Sequence, residues 1–242
     1  MVVFAMEESN FITNNLQSNL TNSKSTNEQN AEPSILCKYR SLGACKCTLM
    51  DIFENKRLFM SSHKAQNDFA EGDYYFCDNG KINTSKILDT IGKAKSQYKI
   101  CSLAIDDDKI NRLMWGHYAN GGNGIMIRLR LPDEVKSNSN FCCKSISYKK
   151  KLKLSERKLE CPNDEVIRKI LLNKHTSWKY ENEYRVLAKF DSDPGCSYCP
   201  IEIKEVVVGP EAKTKDNGLL KKLKEKYGGC IEFKSFEETY HC

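Results

Sequence analysis

The feature that most constrains the fold is the interleaving of short alternating segments with short helical-period segments from Leu36 to Phe233, with no repeat of fixed length. Alternation of period two marks half-buried strands, and apolar residues at i, i+3 and i+4 mark helices packed by one face. Strand-like runs are Leu36–Arg40, Leu58–Ser61, Tyr98–Leu103, Gly124–Leu131, Tyr180–Phe190, Glu202–Gly209 and Cys230–Phe233. Helical stripes fall between them: Leu49, Ile52 and Phe53 behind Thr48; Ile87, Leu88 and Ile91 behind Thr84; Ile110, Leu113, Met114 and His117 behind Asp106–Asp108; Ile167, Ile170, Leu171 and Trp178 from about Asn163; and Leu219 to Tyr227. A mixed order of this kind predicts an α+β single domain with a mixed or split β-sheet and packed helices. In Gly124–Leu131, Met126, Arg128 and Arg130 fall on the face opposite Ile125, Ile127 and Leu129, so a basic outer face is expected.

Composition sets the limits around that core. The chain has 242 residues, 40% of them hydrophobic and 29% charged, enough apolar surface for one domain. Residues 9–30 are mostly Asn, Ser, Thr and Gln, so residues 1–34 are expected to be a flexible polar tail and residues 35–242 the folded domain. No apolar stretch reaches the ~20 residues that cross a bilayer, and Met1–Met6 runs into Glu7 and Glu8 without a basic leader, so no membrane partner and a cytoplasmic location are expected. The 12 cysteines are then read as reduced thiols. Cys45 and Cys47, with Cys196 and Cys199, do not make a complete zinc set, so no metal is expected.

No phosphate-binding glycine loop of the Walker or dinucleotide type, zincin helix or nucleophile elbow is present, and Gly121–Gly124 follows a helix and so reads as a stop and turn. The segment Trp178–Arg185 is the densest in chemistry: Glu181, Glu183 and Arg185, spaced by two, share one strand face, where adjacent carboxylates raise each other's proton affinity unless a cation intervenes. Arg185 supplies such a cation, and a surface Glu–Arg ladder is the competing reading. His117 is either a hydrogen-bonded core histidine or a base. Seven Lys or Arg lie between Lys144 and Lys158, Lys149, Lys150 and Lys151 among them, which suits RNA or DNA phosphates as well as a solvated face.

Lys38-Tyr39-Arg40, Asn67-Asp68, Met114-Trp115-Gly116-His117-Tyr118-Ala119 and Trp178-x-x-Glu181-x-Glu183-Tyr184-Arg185 resemble the motifs of a widespread bacterial family of unknown function, from about Leu36 to Gly209. The chain departs from the family in having Phe69 where a proline is usual. The order of a Tyr-Arg strand, a strand ending in Ser61 and a late Glu-x-Glu strand is similar to ADP-ribosyltransferases, those that modify nucleic acids especially. That similarity implies NAD as substrate, held by Tyr39, Arg40, Ser61, Trp115, Tyr118 and Arg185, with Glu183, Glu181 and His117 as catalytic residues. It also implies a toxin or phage-defence effector with a nucleic-acid acceptor and a protein partner such as an antitoxin. Two rivals stay open: a metal-dependent nuclease or nucleic-acid-binding module using Asp68, His117, Glu181 and Glu183, and a non-catalytic protein-interaction domain.

Overall fold

A computed structural model describes residues 33–43, 46–68, 70–76, 84–190, 198–212 and 218–241. The expected tail therefore lies outside the described residues but for Pro33 and Ser34, as do Phe69, Cys45 and Cys196.

The elements run in chain order β1 (Leu36–Ser41), α1 (Lys46–Asn55), β2 (Arg57–Phe59), β3 (Ser61–Ser62), α2 (Thr84–Ser96), β4 (Tyr98–Ile105), α3 (Arg112–Tyr118), β5 (Gly124–Arg130), α4 (Asp133–Ser137), β6 (Phe141–Ser145), β7 (Ser147–Tyr148), α5 (Glu156–Glu160), α6 (Asp164–Leu171), β8 (Asn173–Lys174), β9 (Glu183–Lys189), β10 (Tyr198–Pro200), β11 (Glu202–Val208), α7 (Gly218–Tyr227), β12 (Glu232–Ser235) and α8 (Phe236–Tyr240). The main sheet has the order β12-β11-β5-β1-β4-β9-β6, with β3 added to β4; only β11 and β12 pair parallel. The fold is α+β with an open mixed sheet, as its sequence pattern predicts.

Helices cover both faces, which is why the strands carry apolar residues on both sides. On one face Ile125, Ile127, Leu129, Leu103 and Val186 pack against Leu49, Ile52 and Phe53 of α1 and Leu219, Leu220 and Leu223 of α7. On the other face the cover is divided. Tyr98, Ile100 and Leu187 lie under α2 and α6, with Ile91, Ile167 and Ile170. Cys37, Tyr39, Met126 and Val207 lie under Met114 and Trp115 of α3, with Phe236 and Tyr240 of α8 packed against them. Between these two apolar packs, on the same face by alternation, β4 presents Ser102 and β9 presents Glu183 and Arg185.

Several local expectations are corrected. The Gly124–Leu131 strand has no basic outer face: Met126 is buried under α3, and Arg128 pairs with Asp106 at 2.8 Å and Glu205 at 2.9 Å. Asp106–Asp108 do not open α3, because Asn111 caps it by accepting a bond from the Met114 amide. Glu181 is not on the strand; it ends a 3-10 turn (Thr176–Glu181), and Asn182 in the left-handed region (φ 44°) turns the chain into β9. Asn is one of the few residues that accept that conformation readily.

Candidate functional site

The β1–β4 ladder is short. Leu36 pairs with Ile105 and Cys37 with Ala104, after which the strands part and β3 takes over the β4 edge at Ile100. Lys38 reaches across the opening and its Nζ donates to the Ser102 carbonyl at 2.5 Å, filling in for absent strand pairing. The opening leads into a cavity of about 220 Å³ lined by Lys38, Tyr39 and Arg40 from β1, Gln66 and Asn67 from the loop after β3, Ser102 from β4, Tyr118 from α3, and Lys174, Glu181 and Glu183.

Two carboxylates form one wall. Glu181 accepts from the Tyr118 hydroxyl at 2.5 Å and from Lys174 Nζ at 2.5 Å, and Lys174 also lies 3.4 Å from Glu183 Oε2. Glu183 Oε1 accepts from Arg185 at 2.7 Å, and Arg185 in turn reaches Glu71 Oε1 at 2.6 Å. Arg185 is completely buried beneath the wall and does not line the cavity. Burial pushes the Glu183 carboxyl up, but Arg185 and Lys174 outweigh it and hold the group below its ordinary value. Glu183 is therefore a fixed negative charge at neutral pH. Burial raises Glu71, despite its Arg185 partner. Tyr118 is raised, by burial and by the bond to Glu181, so it stays a neutral donor.

Strand β1 adds two cations to the lining, Lys38 and Arg40. Arg40 Nε is buried without a hydrogen-bond partner among the described residues, and burial lowers the guanidinium's affinity for its proton. Burial, and then the neighbouring Arg40, lower Lys38 to about 8. Two cations in the lining of one cavity suit an anion, and the Arg40 Nε–H, buried and unpaired, carries a cost of about 1–3 kcal/mol that a partner would relieve.

Of the residues singled out in the sequence, the structure brings Tyr39, Arg40, Tyr118, Glu181 and Glu183 to this cavity. Trp115 is instead buried beneath Tyr39, edge-on at 5.3 Å between ring centres. Ser61 accepts from Gln66 Nε2 at 2.7 Å outside the lining. His117 is exposed on α3 and lies against Tyr180 rather than in the cavity. Lys149, Lys150 and Lys151 are exposed and do not line the cavity. Asp68 is buried, with Oδ1 accepting the Ala70 amide at 3.0 Å. Sequence reasoning missed Lys38 and Lys174 as site residues. Lys174 had a signal of a kind, since two carboxylates so close together demand a cation, but Arg185 was the nearer candidate in the chain.

Among the described residues no group of three or more His, Cys, Asp or Glu is arranged to hold a metal ion, and no helix is long and apolar enough to cross a membrane. Searches of curated proteins and of solved structures found no match. Residues 114–186, the stretch that carries Tyr118, Lys174, Glu181, Glu183 and Arg185, match the model of the family described as a protein of unknown function (DUF2971).

Proposed function

We propose that the cavity binds the nicotinamide ribose and the adjoining pyrophosphate of an NAD-type dinucleotide and that the bond between that ribose and nicotinamide is cleaved there. The observation that supports this most is that Lys38 and Arg40, the latter with a buried Nε that has no partner among the described residues, line the same cavity as the ionised carboxylate of Glu183. Arg40 and Lys38 take a phosphate, and a guanidinium suits that role because its planar donors match phosphate oxygens. The ribose then lies beside Glu183. As the bond from ribose C1′ to the pyridinium nitrogen breaks, nicotinamide leaves with the electron pair and positive charge grows on the sugar. Glu183 stabilises that charge, and an acceptor hydroxyl or amine closes on C1′ and gives up its proton to water. A cavity of about 220 Å³ is smaller than the usual ligand pocket, so one ring-bearing half of the dinucleotide occupies it and the rest lies outside. Metal-assisted hydrolysis is the less favoured chemistry, since Glu71, Glu181 and Glu183 each already serve a lysine or arginine.

The test is nicotinamide release from NAD by the full chain, with and without added metal, in the presence of RNA, DNA and protein acceptors. Release is expected without metal. Glu183→Gln keeps size and hydrogen bonding but removes the charge and is expected to lower turnover by about 100-fold or more, while Arg40→Ala chiefly raises KM. Thermal melting of each variant checks that the buried network has survived. No release with any acceptor, together with no binding of ADP-ribose, would remove this reading.

A further inference from the structure

Beside the cavity, three half-buried aromatic rings and the exposed His117 form a row. Trp178 lies 6.0 Å from Tyr180, Tyr180 lies 6.0 Å from His117, and His117 lies 6.3 Å from Tyr118, measured between ring centres. Tyr118 lines the cavity, so the row begins at its wall and runs outward. Its parts are held firmly. Asn111 Nδ2 donates to the Tyr180 carbonyl at 2.5 Å, tying the 3-10 turn to the start of α3. Lys174 Nζ lies 4.5 Å from the Trp178 ring centre, so the ring covers the ammonium that holds both carboxylates. His117 is exposed, and Leu113, one turn earlier on α3, is 52% exposed.

Such a row is not what a solvated face requires. Half-buried aromatic rings beside the exposed His117 and Leu113, held by fixed polar anchors, mark a contact surface. The charge around it selects the partner. The exposed ionisable side chains of the two elements that build it, with the His175 cap of the turn, are Arg112, His117, His175 and Lys179, and their one carboxylate, Glu181, is buried. The chain as a whole carries a net charge of +6.

We infer that this row is a stacking platform for the unpaired bases of single-stranded nucleic acid. Every base has a π-face, and a row of rings with cations beside it binds a single strand without reading its sequence. A row three ring-to-ring steps long offers more ring surface than one base covers, which favours a strand over a free nucleotide. The inference goes beyond the proposed NAD chemistry and does not depend on it; if both hold, the strand is the acceptor, led past Tyr118 to the cavity.

The experiment uses the full chain and fluorescein-labelled single strands of about ten nucleotides, oligo-dT and oligo-rA, read by anisotropy at low and moderate salt. Binding to both is expected, and the matching duplex is expected to bind more weakly. His117→Ala, at an exposed position, and Tyr180→Leu are each expected to weaken binding by about tenfold. Unlabelled strand is expected to quench Trp178 emission; in Trp178→Leu the remaining Trp115 emission reports an intact core and no longer responds. Equal binding of duplex and single strand, or affinity unchanged in both His117→Ala and Tyr180→Leu, would show charge alone at work and overturn the platform. Quenching by AMP at the same concentration as the strand would assign the rings to a free nucleotide and overturn it too, as would absence of binding at low salt.

Discussion

Lys38 shows how one residue can serve the fold and the site at once. Its stem crosses the gap where β1 and β4 part, and its ammonium caps the Ser102 carbonyl that strand pairing would otherwise occupy. Burial and the adjacent Arg40 make that charge costly, lowering Lys38 to about 8 from an ordinary 10.5. Between these two pH values the unfolded chain holds a proton that the folded one has lost, so this residue's penalty is full below pH 8 and is relieved as the pH rises through the window to 10.5. An anion bound beside Lys38 stabilises the charged form and pulls its proton affinity back up. Binding of ADP-ribose is therefore expected to weaken as the pH is raised through about 8, and to be accompanied by proton uptake just above it. Calorimetry in buffers of different ionisation enthalpy measures that uptake. In Lys38→Met both the pH step and the uptake are expected to vanish, whereas Arg40, still charged throughout, gives no step there. A proton-neutral binding reaction in the unaltered protein would show that Lys38 does not face the anion.

At the scale of elements, periodicity carried the fold further than it carried the site. The stripes on α1, α2, α6 and α7 were legible because each helix buries one face, and β4, β5 and β11 were legible as apolar runs. The edge strand β6 was not, since Phe141–Ser145 pairs with β9 alone and carries little of the alternation that burial imposes. The Glu-x-Glu spacing predicts one strand face, yet Asn182 breaks the strand between the two carboxylates. They still meet because Lys174 of β8 bonds Glu181 and lies beside Glu183, a contact set by tertiary packing that no local pattern encodes. The turn after β11 makes the same point about close approach. A Cβ on Gly209 would come within 2.1 Å of the Gly122 carbonyl oxygen and 2.8 Å of Trp115 Cζ3. Gly209→Ala must therefore displace the Gly122 turn and the indole that seats Tyr39. Overpacking of this kind costs about 1–3 kcal/mol, so a lower urea midpoint at unchanged slope is expected, together with a shift in Trp115 emission. An unaltered midpoint would mean that the turn and the indole yield freely.

For the molecule as a whole, the consequence of the parted strands is that the sheet is continuous but unevenly knit. β12, β11, β5 and β1 form one well-paired group and β4, β9 and β6 another, joined by the short β1–β4 ladder at Leu36 and Cys37. The helical cover of one face is divided nearby, α2 and α6 packing on one side and α3 and α8 on the other. The cavity sits where both divisions coincide. In an antiparallel strand the backbone groups point alternately to one neighbour and the other. Within Lys38–Arg40 and Cys101–Leu103, amides directed at β5 or β9 are thus held by the ladders, while those directed across the gap lack a strand partner. Hydrogen exchange of the free protein is expected to show that alternation, with slow and fast amides adjacent in sequence on both strands. A ligand that bridges Arg40 and Lys38 on one side and Glu183 on the other ties the two groups together. ADP-ribose is accordingly expected to slow the fast amides of both strands at once, and to raise the melting temperature as its concentration exceeds its dissociation constant. Slowing confined to one strand would place the ligand on the surface of that group rather than across the gap, and slowing confined to the Trp178–Tyr180 turn would move it to the aromatic row outside.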